Sequence, residues 1–512
     1  MTGPAHSSRV GRTTLGTVIL VLALTLLPIT VARLALAAVR QDVDPPSEVW
    51  TALAFDWASG TPYRPLWSDQ GYGGSRYFPG HVVLQAWAMR VLPPVASGFA
   101  VTGLALSLLL LGSYALLRRS GLDRLECAGG ACLVLLSPSI QEAAVATRGD
   151  LLSAAVAICA LALVWGGEDR PPSATQLLGA AFLFAFSWFT KFTSVAAPAA
   201  GFILLWMSGR RRAALLLAGA GAAFAALLVV SVQVQTHGRF LQVFFASVVG
   251  RTGLSDVLKL PYHLLLNVRY LTVLTIPPTL LALGCFFEPA ARTRFRPLLA
   301  YALAAALVCL GVHTGYGIES HHLMEVETAS ALMLAALLAT GAVGRQLGAA
   351  LLASCLLLIG TLLLAPELGL LRHRVHPTRR AEYDQVLPAL RQARGPVLSA
   401  YPLVPILLGE RPFLLDQWMF GVASAHRPGM VTDLQSRLRA RCFGAVVLTG
   451  SPATAEGRLE IDRWLGAGTA DVVNASYVPG WSGQDLYVLL PRERAVTTPP
   501  RGGPPRCGDP AW

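Results

Sequence analysis

Ionisable residues are scarce in this 512-residue chain, and those with chemical potential gather in a few places. The polar stretch 41–80 carries Asp42, Asp44, Glu48, Asp56 and Asp69 among aromatics that include Trp50, Trp57, Tyr63 and Tyr77. Further along come Glu142, Arg148 and Asp150, then Lys191. Arg239 and Lys259 lie in a second polar stretch, 233–267, and His321, His322, Glu325 and Glu327 in a third. Asp150 and Lys191 border apolar runs, and Glu325 and Glu327 sit at or inside one. Charged groups in such places are expensive and face a cavity or one another. Gathered on one side, they read as the lining of an active site for a lipid-linked substrate, with 41–80 as one wall.

The elements that must position them are membrane spans. The chain is 54% hydrophobic and 14% charged, with a mean hydropathy of +0.53. Soluble domains carry about 25% charged residues. Runs near the ~20 residues that cross a bilayer recur from Leu15–Val39 to Leu347–Leu364, about eleven in all. Arginine clusters such as Arg118, Arg119 and Arg124, or Arg210, Arg211 and Arg212, fall at the turns assigned to the inside. This predicts a multi-pass protein of the cell inner (plasma) membrane, with a cytoplasmic N-terminus and the 41–80 and 233–267 loops outside. The net charge of +12 is spread over these turns, so nucleic acid is not an expected partner. Arg9 and Arg12 before the first run resemble a signal peptide, but the later spans favour a retained helix. Arg33 near its outer end can snorkel to the headgroups.

Inside the first loop, Trp50, Leu53 and Trp57 share one face of a helix over Ser47–Ser59 that Asp44 or Ser47 can cap. Such a helix would lie flat at the interface, its aromatics forming a belt. From Arg372 onward strand-like runs (Val397–Ser399, Pro412–Leu415, Phe443–Thr449, Asp485–Leu490) alternate with helical ones. This predicts a small extracytoplasmic α/β domain over 372–496, behind a transmembrane domain at 1–371 and ahead of a disordered tail at 497–512. The eight cysteines contain no CxxC pair, which argues against a zinc site. Most are small hydrophobes in apolar runs, and Cys442 and Cys507 could pair. His321 and His322, adjacent on a helix, should point apart. Asp42 and Asp44 have DxD spacing, too short a pattern to call for a divalent metal. No cofactor is expected.

In order along the chain, several short motifs resemble those of the GT-C superfamily of membrane glycosyltransferases, near its protein O-mannosyltransferase and aminoarabinose transferase branches. A carboxylate follows the first span. Gly60-Thr61-Pro62-Tyr63 and Tyr77-Phe78-Pro79-Gly80 are similar to that family's G-x-x-Y and Y-x-P. Arg148-Gly149-Asp150 resembles R-P-D with glycine in place of proline. Thr190-Lys191-Phe192-Thr193-Ser194 resembles T-K-x-[ST]. Ser320-His321-His322-Leu323-Met324-Glu325 resembles N-x-Y-x-x-E, with Asn and Tyr replaced.

The resemblance implies an α-helical, GT-C-like membrane domain that moves a sugar from a polyprenyl-phosphate donor to an acceptor hydroxyl on a lipid, glycan or protein. A first-loop carboxylate would act as general base, and fixed cations would hold the leaving phosphate. Spacing to Gly60 favours Glu48 as base and the aspartate usual in better-known branches favours Asp44; Glu48 is the expected base, with Asp44 kept beside it. Asp150, Arg148, Lys191, Tyr63, Tyr77, His321, His322, Glu325, Arg239 and Lys259 are the expected substrate contacts. Each also has a plainer role. Glu48 can be a first-turn acid, Asp44 a cap, Asp150 a partner of Arg148, and Lys191 a snorkelling span end. A transporter or lipid flippase is the rival class, for which inverted repeats would be the sign. A catalytically silent relative is the third.

Overall fold

The computed structural model describes residues 5–165, 171–247, 258, 289–313, 320–340, 379–483 and 486–492. Lys259, the tail 497–512 and the apolar segments 270–286 and 347–364 lie outside the described residues.

The helices run α1 (Ala5–Arg40), α2 (Pro45–Ala58), α3 (Pro79–Ala88), α4 (Pro94–Arg119), α5 (Arg124–Leu133), α6 (Pro138–Ala143), α7 (Gly149–Val164), α8 (Ala174–Thr190), α9 (Ala196–Met207), α10 (Arg211–Gln235), α11 (Arg239–Ser247), α12 (Pro289–Val312) and α13 (Met324–Thr340). A helix covers each apolar run of the sequence that falls among the described residues. Among the described residues, four are long and apolar enough to cross a membrane: Ala23–Arg40, Pro94–Arg119, Arg211–Gln235 and Phe295–Val312. Shorter apolar helices, α7, α8 and α9, accompany them. At 1.5 Å per residue, the 16 residues of α7 span about 24 Å, short of a ~30 Å hydrocarbon core.

Burial separates inner helices from outer ones. α7 is apolar on every side and buried along nearly its whole length, as expected of the central helix of a bundle. In α10 only 11% of the apolar window is covered, and Leu215, Leu227 and Val234 are exposed. An apolar surface of that extent needs an apolar surrounding. α4 approaches α7 closely at Gly112, where an added Cβ would stand 2.8 Å from Cys159 Sγ. Small residues permit such contacts in membrane bundles. Arg33 does not snorkel. It is buried and donates from Nη1 to Gln141 Oε1 at 2.6 Å, because α6 folds back to give it a partner.

The C-terminal part is a sheet with flanking helices: α14 (Arg379–Leu390), β1 (Val397–Ser399), α15 (Leu403–Leu407), α16 (Gln417–Ser424), α17 (Pro428–Arg439), β2 (Ala445–Leu448), α18 (Ala455–Leu465), α19 (Thr469–Ser476), β3 (Tyr477–Ser482) and β4 (Tyr487–Pro491). The strand order is β1-β2-β4-β3. β1 and β2 are parallel, and β4 is antiparallel to both neighbours. The run Pro412–Leu415 forms no strand of this sheet. It makes an isolated parallel bridge to the first loop, Tyr72 with Leu414. Tyr72 N–H donates to Phe413 O at 2.8 Å and Leu415 N–H to Tyr72 O at 3.0 Å. Cys442 is disulfide-bonded, and Cys507 lies outside the described residues.

Candidate active site

The first loop is not an open surface. Asp44 caps α2, its Oδ1 accepting from Ser47 N–H at 2.9 Å, with Pro45 and Pro46 opening the helix. Proline is favoured there because its missing N–H has no helical partner to lose. The Trp50 face packs inward, Trp50 lying 4.6 Å from the Tyr77 ring and 5.3 Å from His81. The expected interfacial belt is therefore a packed core. Arg64 fastens the loop, donating to Asp56 Oδ2 at 2.7 Å and to Pro412 O at 2.9 Å. Trp67 Nε1 reaches Asp433 at 3.0 Å. The C-terminal sheet and its helices roof the loop that the sequence left exposed.

The two candidate carboxylates meet different surroundings. Asp44 has a third of its side chain exposed and is ion-paired with Arg148, whose Nε stands 3.4 Å from Oδ1. Glu48 is fully buried. Tyr383 O–H donates to its Oε1 at 2.7 Å and Leu403 N–H approaches Oε2 at 3.4 Å.

Arg148 immediately precedes α7, and Asp150 stands in its first turn, where the helix N-terminus favours an anion. Glycine at 149 answers to Trp50: an added Cβ would lie 2.8 Å from its ring. Lys191, directly after α8, places Nζ 2.6 Å from Asp150 Oδ1. His321 Nε2 is 3.9 Å from the same oxygen. Ser194 donates to Glu325 Oε1 at 2.9 Å and shares a 2.9 Å hydrogen bond with Ser187. Asp150, Ser153, Lys191, Ser194, His321 and Glu325 line one cavity of about 30 Å³, room for a water molecule or two. Glu327 faces the other way, accepting from Ser137 O–H and from Ser139 N–H at 3.2 Å, and so ties α13 to α6.

His321 and His322 do not diverge. They sit on a 3-10 turn, Ser320–Leu323, and their ring centroids are 4.2 Å apart. Among the described residues no group of three or more His, Cys, Asp and Glu is set to hold a metal ion. Tyr63 and Tyr77 belong to the packing rather than to the cavity lining. Tyr63 O–H donates to Tyr77 O at 2.8 Å, and its ring stands 4.9 Å from Phe240. Burial pushes the Tyr63 phenol well above its ordinary pKa. Arg239 donates to Thr236 O at 3.0 Å in the turn before α11 and is not among the cavity's residues. Ser153 and Ser194 were not singled out from sequence. Ser194 ends the Thr190–Ser194 motif, the one available signal.

The apolar helical bundle, roofed first loop, charged cavity at helix ends and C-terminal sheet form a fold similar to that of solved structures of ArnT and of an oligosaccharyltransferase. Among solved structures, ArnT from Cupriavidus metallidurans is similar in the apo state, with TM-score 0.58 and 15% identity over 90% of this chain and 97% of that one. The same protein bound to undecaprenyl phosphate gives 0.59 and 14%, over 91% and 97%. The Archaeoglobus fulgidus oligosaccharyltransferase tethered with an acceptor peptide gives 0.51 and 12%, over 88% and 72%. No protein-family model and no curated protein sequence matches the chain.

Proposed function

We propose that this chain is an integral membrane glycosyltransferase that moves a sugar from a polyprenyl-phosphate donor to an acceptor hydroxyl on the outer face. The observation that carries the reading is the pair of ion pairs, Asp44–Arg148 and Asp150–Lys191, set two residues apart at the start of α7 in a GT-C fold. The relative bound to undecaprenyl phosphate supports a lipid-phosphate donor. The proposed layout keeps eleven spans, the 372–496 region outside and the N-terminus inside. A disulfide at Cys442 suits an oxidising exterior.

In this reading Asp44 is the general base. It is the carboxylate with open surface, whereas Glu48 is enclosed and receives donors that include Tyr383 O–H and Leu403 N–H. Asp44 takes the acceptor's hydroxyl proton as that oxygen bonds to the anomeric carbon. The anomeric carbon–phosphate oxygen bond breaks, and the lipid phosphate departs with the electron pair. Lys191 Nζ, Arg148 and His321 supply fixed donors for that phosphate, where preorganised positive charge acts most strongly. Asp150 holds Lys191 in place, and Glu325 with Ser194 shapes the floor.

Transfer from a panel of radiolabelled polyprenyl-phosphate sugars, in membranes carrying wild type or Lys191→Met at equal protein, tests this. Label should leave the lipid fraction with wild type, and the donor KM should rise in the variant. Equal transfer by both would remove Lys191 from the site. Absence of transfer from every donor, with acceptor-rich cell-envelope extract supplied, would favour the transporter class.

A further inference from the structure

Two carboxylates four residues apart begin α2, and the proposed reaction uses one of them. The other, Glu48, is wholly enclosed, yet its carboxylate faces donors from the C-terminal domain, 335 and 355 residues away in sequence. A buried carboxylate is tolerated only with such partners. The Tyr383 hydroxyl comes from α14 and the Leu403 N–H from the start of α15, so the contact spans two elements of that domain.

The opposite side of the same helical turn is also gripped. Thr147 N–H donates to Ser47 Oγ at 3.0 Å, and Thr147 Oγ1 to Ser47 O at 3.3 Å. Thr147 is itself wedged against α4: a Cβ added at Gly98 would stand 2.6 Å from its Cβ. Thr102 of α4 donates to Ala146 O at 2.7 Å. The residue after Thr147 is Arg148, the partner of Asp44. The residue three before Ser47 is Asp44, whose Oδ1 accepts the Ser47 N–H. The contacts therefore close a ring, Asp44 to Ser47 to Thr147 to Arg148 and back, and Glu48 is the point where the C-terminal domain holds that ring.

We propose that Glu48 is a positioning residue through which the C-terminal domain fixes the first turn of α2, and with it the Asp44–Arg148 pair. Its catalytic half rests on the reading of Asp44 as base; its structural half does not. A base displaced by about an ångström loses one to two orders of magnitude in rate, so the domain is part of the machinery without touching substrate.

The test uses the full chain in detergent or nanodiscs, as wild type, Tyr383→Phe, Glu48→Ala and Glu48→Gln. Hydrogen exchange of peptides covering 44–51 and 145–150 is read beside transfer kinetics and the melting temperature. Tyr383→Phe and Glu48→Ala should speed exchange in both peptides by about tenfold. They should also lower kcat by about tenfold, with a smaller rise in the donor KM through Arg148, at temperatures where the protein stays folded. Glu48→Gln keeps an acceptor oxygen for Tyr383 and should restore both readouts to within about threefold. Exchange and kcat unchanged in Tyr383→Phe and Glu48→Ala would overturn the proposal. So would a Glu48→Gln protein as inactive as Asp44→Asn, which would put Glu48 in the chemistry. Faster exchange in a protein that transfers no sugar would leave the clamp standing and remove the glycosyltransferase reading.

Discussion

Asp44 and Glu48 share one helical turn and face opposite worlds. Asp44 caps α2 and pairs with Arg148, the residue before α7, two positions from the Asp150–Lys191 pair. Glu48 looks toward the C-terminal part of the chain, and its partners include the Tyr383 phenol and the Leu403 backbone N–H. The first environment leaves a carboxylate ion-paired and within reach of solvent. The second supplies it with donors and shuts it in. Identical chemistry at a spacing of four residues thus yields a candidate base on one side and a structural tie on the other.

The sharpest way to break this contrast is Asp44→Asn, which keeps the cap on Ser47 and removes the base. Initial rates of transfer should fall by three orders of magnitude or more, at the strong end of general-base effects. Next in size is the charged side of the comparison. Lys191→Met should cut kcat/KM about a hundredfold, the scale of losing one fixed donor to a developing anion, measured as the slope at low donor.

The roofed side has its own test in Asp56 and Arg64, both nearly inaccessible and paired at 2.7 Å. Burial raises the Asp56 pKa, and Arg64 acts against it. Asp56→Ala strands a buried guanidinium and should cost about 3 kcal/mol, read by thermal or denaturant unfolding. Replacing both partners by apolar residues should cost less. The smallest expected effect concerns His81, held down to about 4 by burial, with Asp150 acting against it. Between pH 6.5 and 4 the unfolded chain binds a proton that the folded one refuses, so stability falls as pH drops through that window. The melting temperature of His81→Leu should vary less across it, by on the order of a few degrees.

Much of the bundle was legible because apolar runs near bilayer length have one common solution, and arginine clusters punctuate them. The polar groups that meet at the cavity were legible as types at span ends. Ser153 was not, since a hydroxyl in an apolar run carries no pattern of its own, and Ser194 showed only as the end of the Thr190–Ser194 motif. On sequence Glu48 stands as base ahead of Asp44, because the burial that separates them lies beyond the sequence. That difference depends on Tyr383, 335 residues downstream of Glu48, and no local signal marks that pairing. For the same reason Trp50 read as an interfacial aromatic, although the roof over the loop makes it core. The histidine pair was misjudged through helix geometry: a 3-10 turn at Ser320–Leu323 brings together rings that an α-helix would spread. Gly149, a departure from the resembled motif, became intelligible only once the Trp50 ring stood against it.

The measurement that bears most directly on the account is a side-by-side rate of sugar transfer by Asp44→Asn and Glu48→Gln, at matched protein level, from the donor that wild type uses. The account predicts that Asp44→Asn falls below about a thousandth of wild type, while Glu48→Gln stays within about threefold. The reverse order, with Glu48→Gln inactive and Asp44→Asn active, would contradict it.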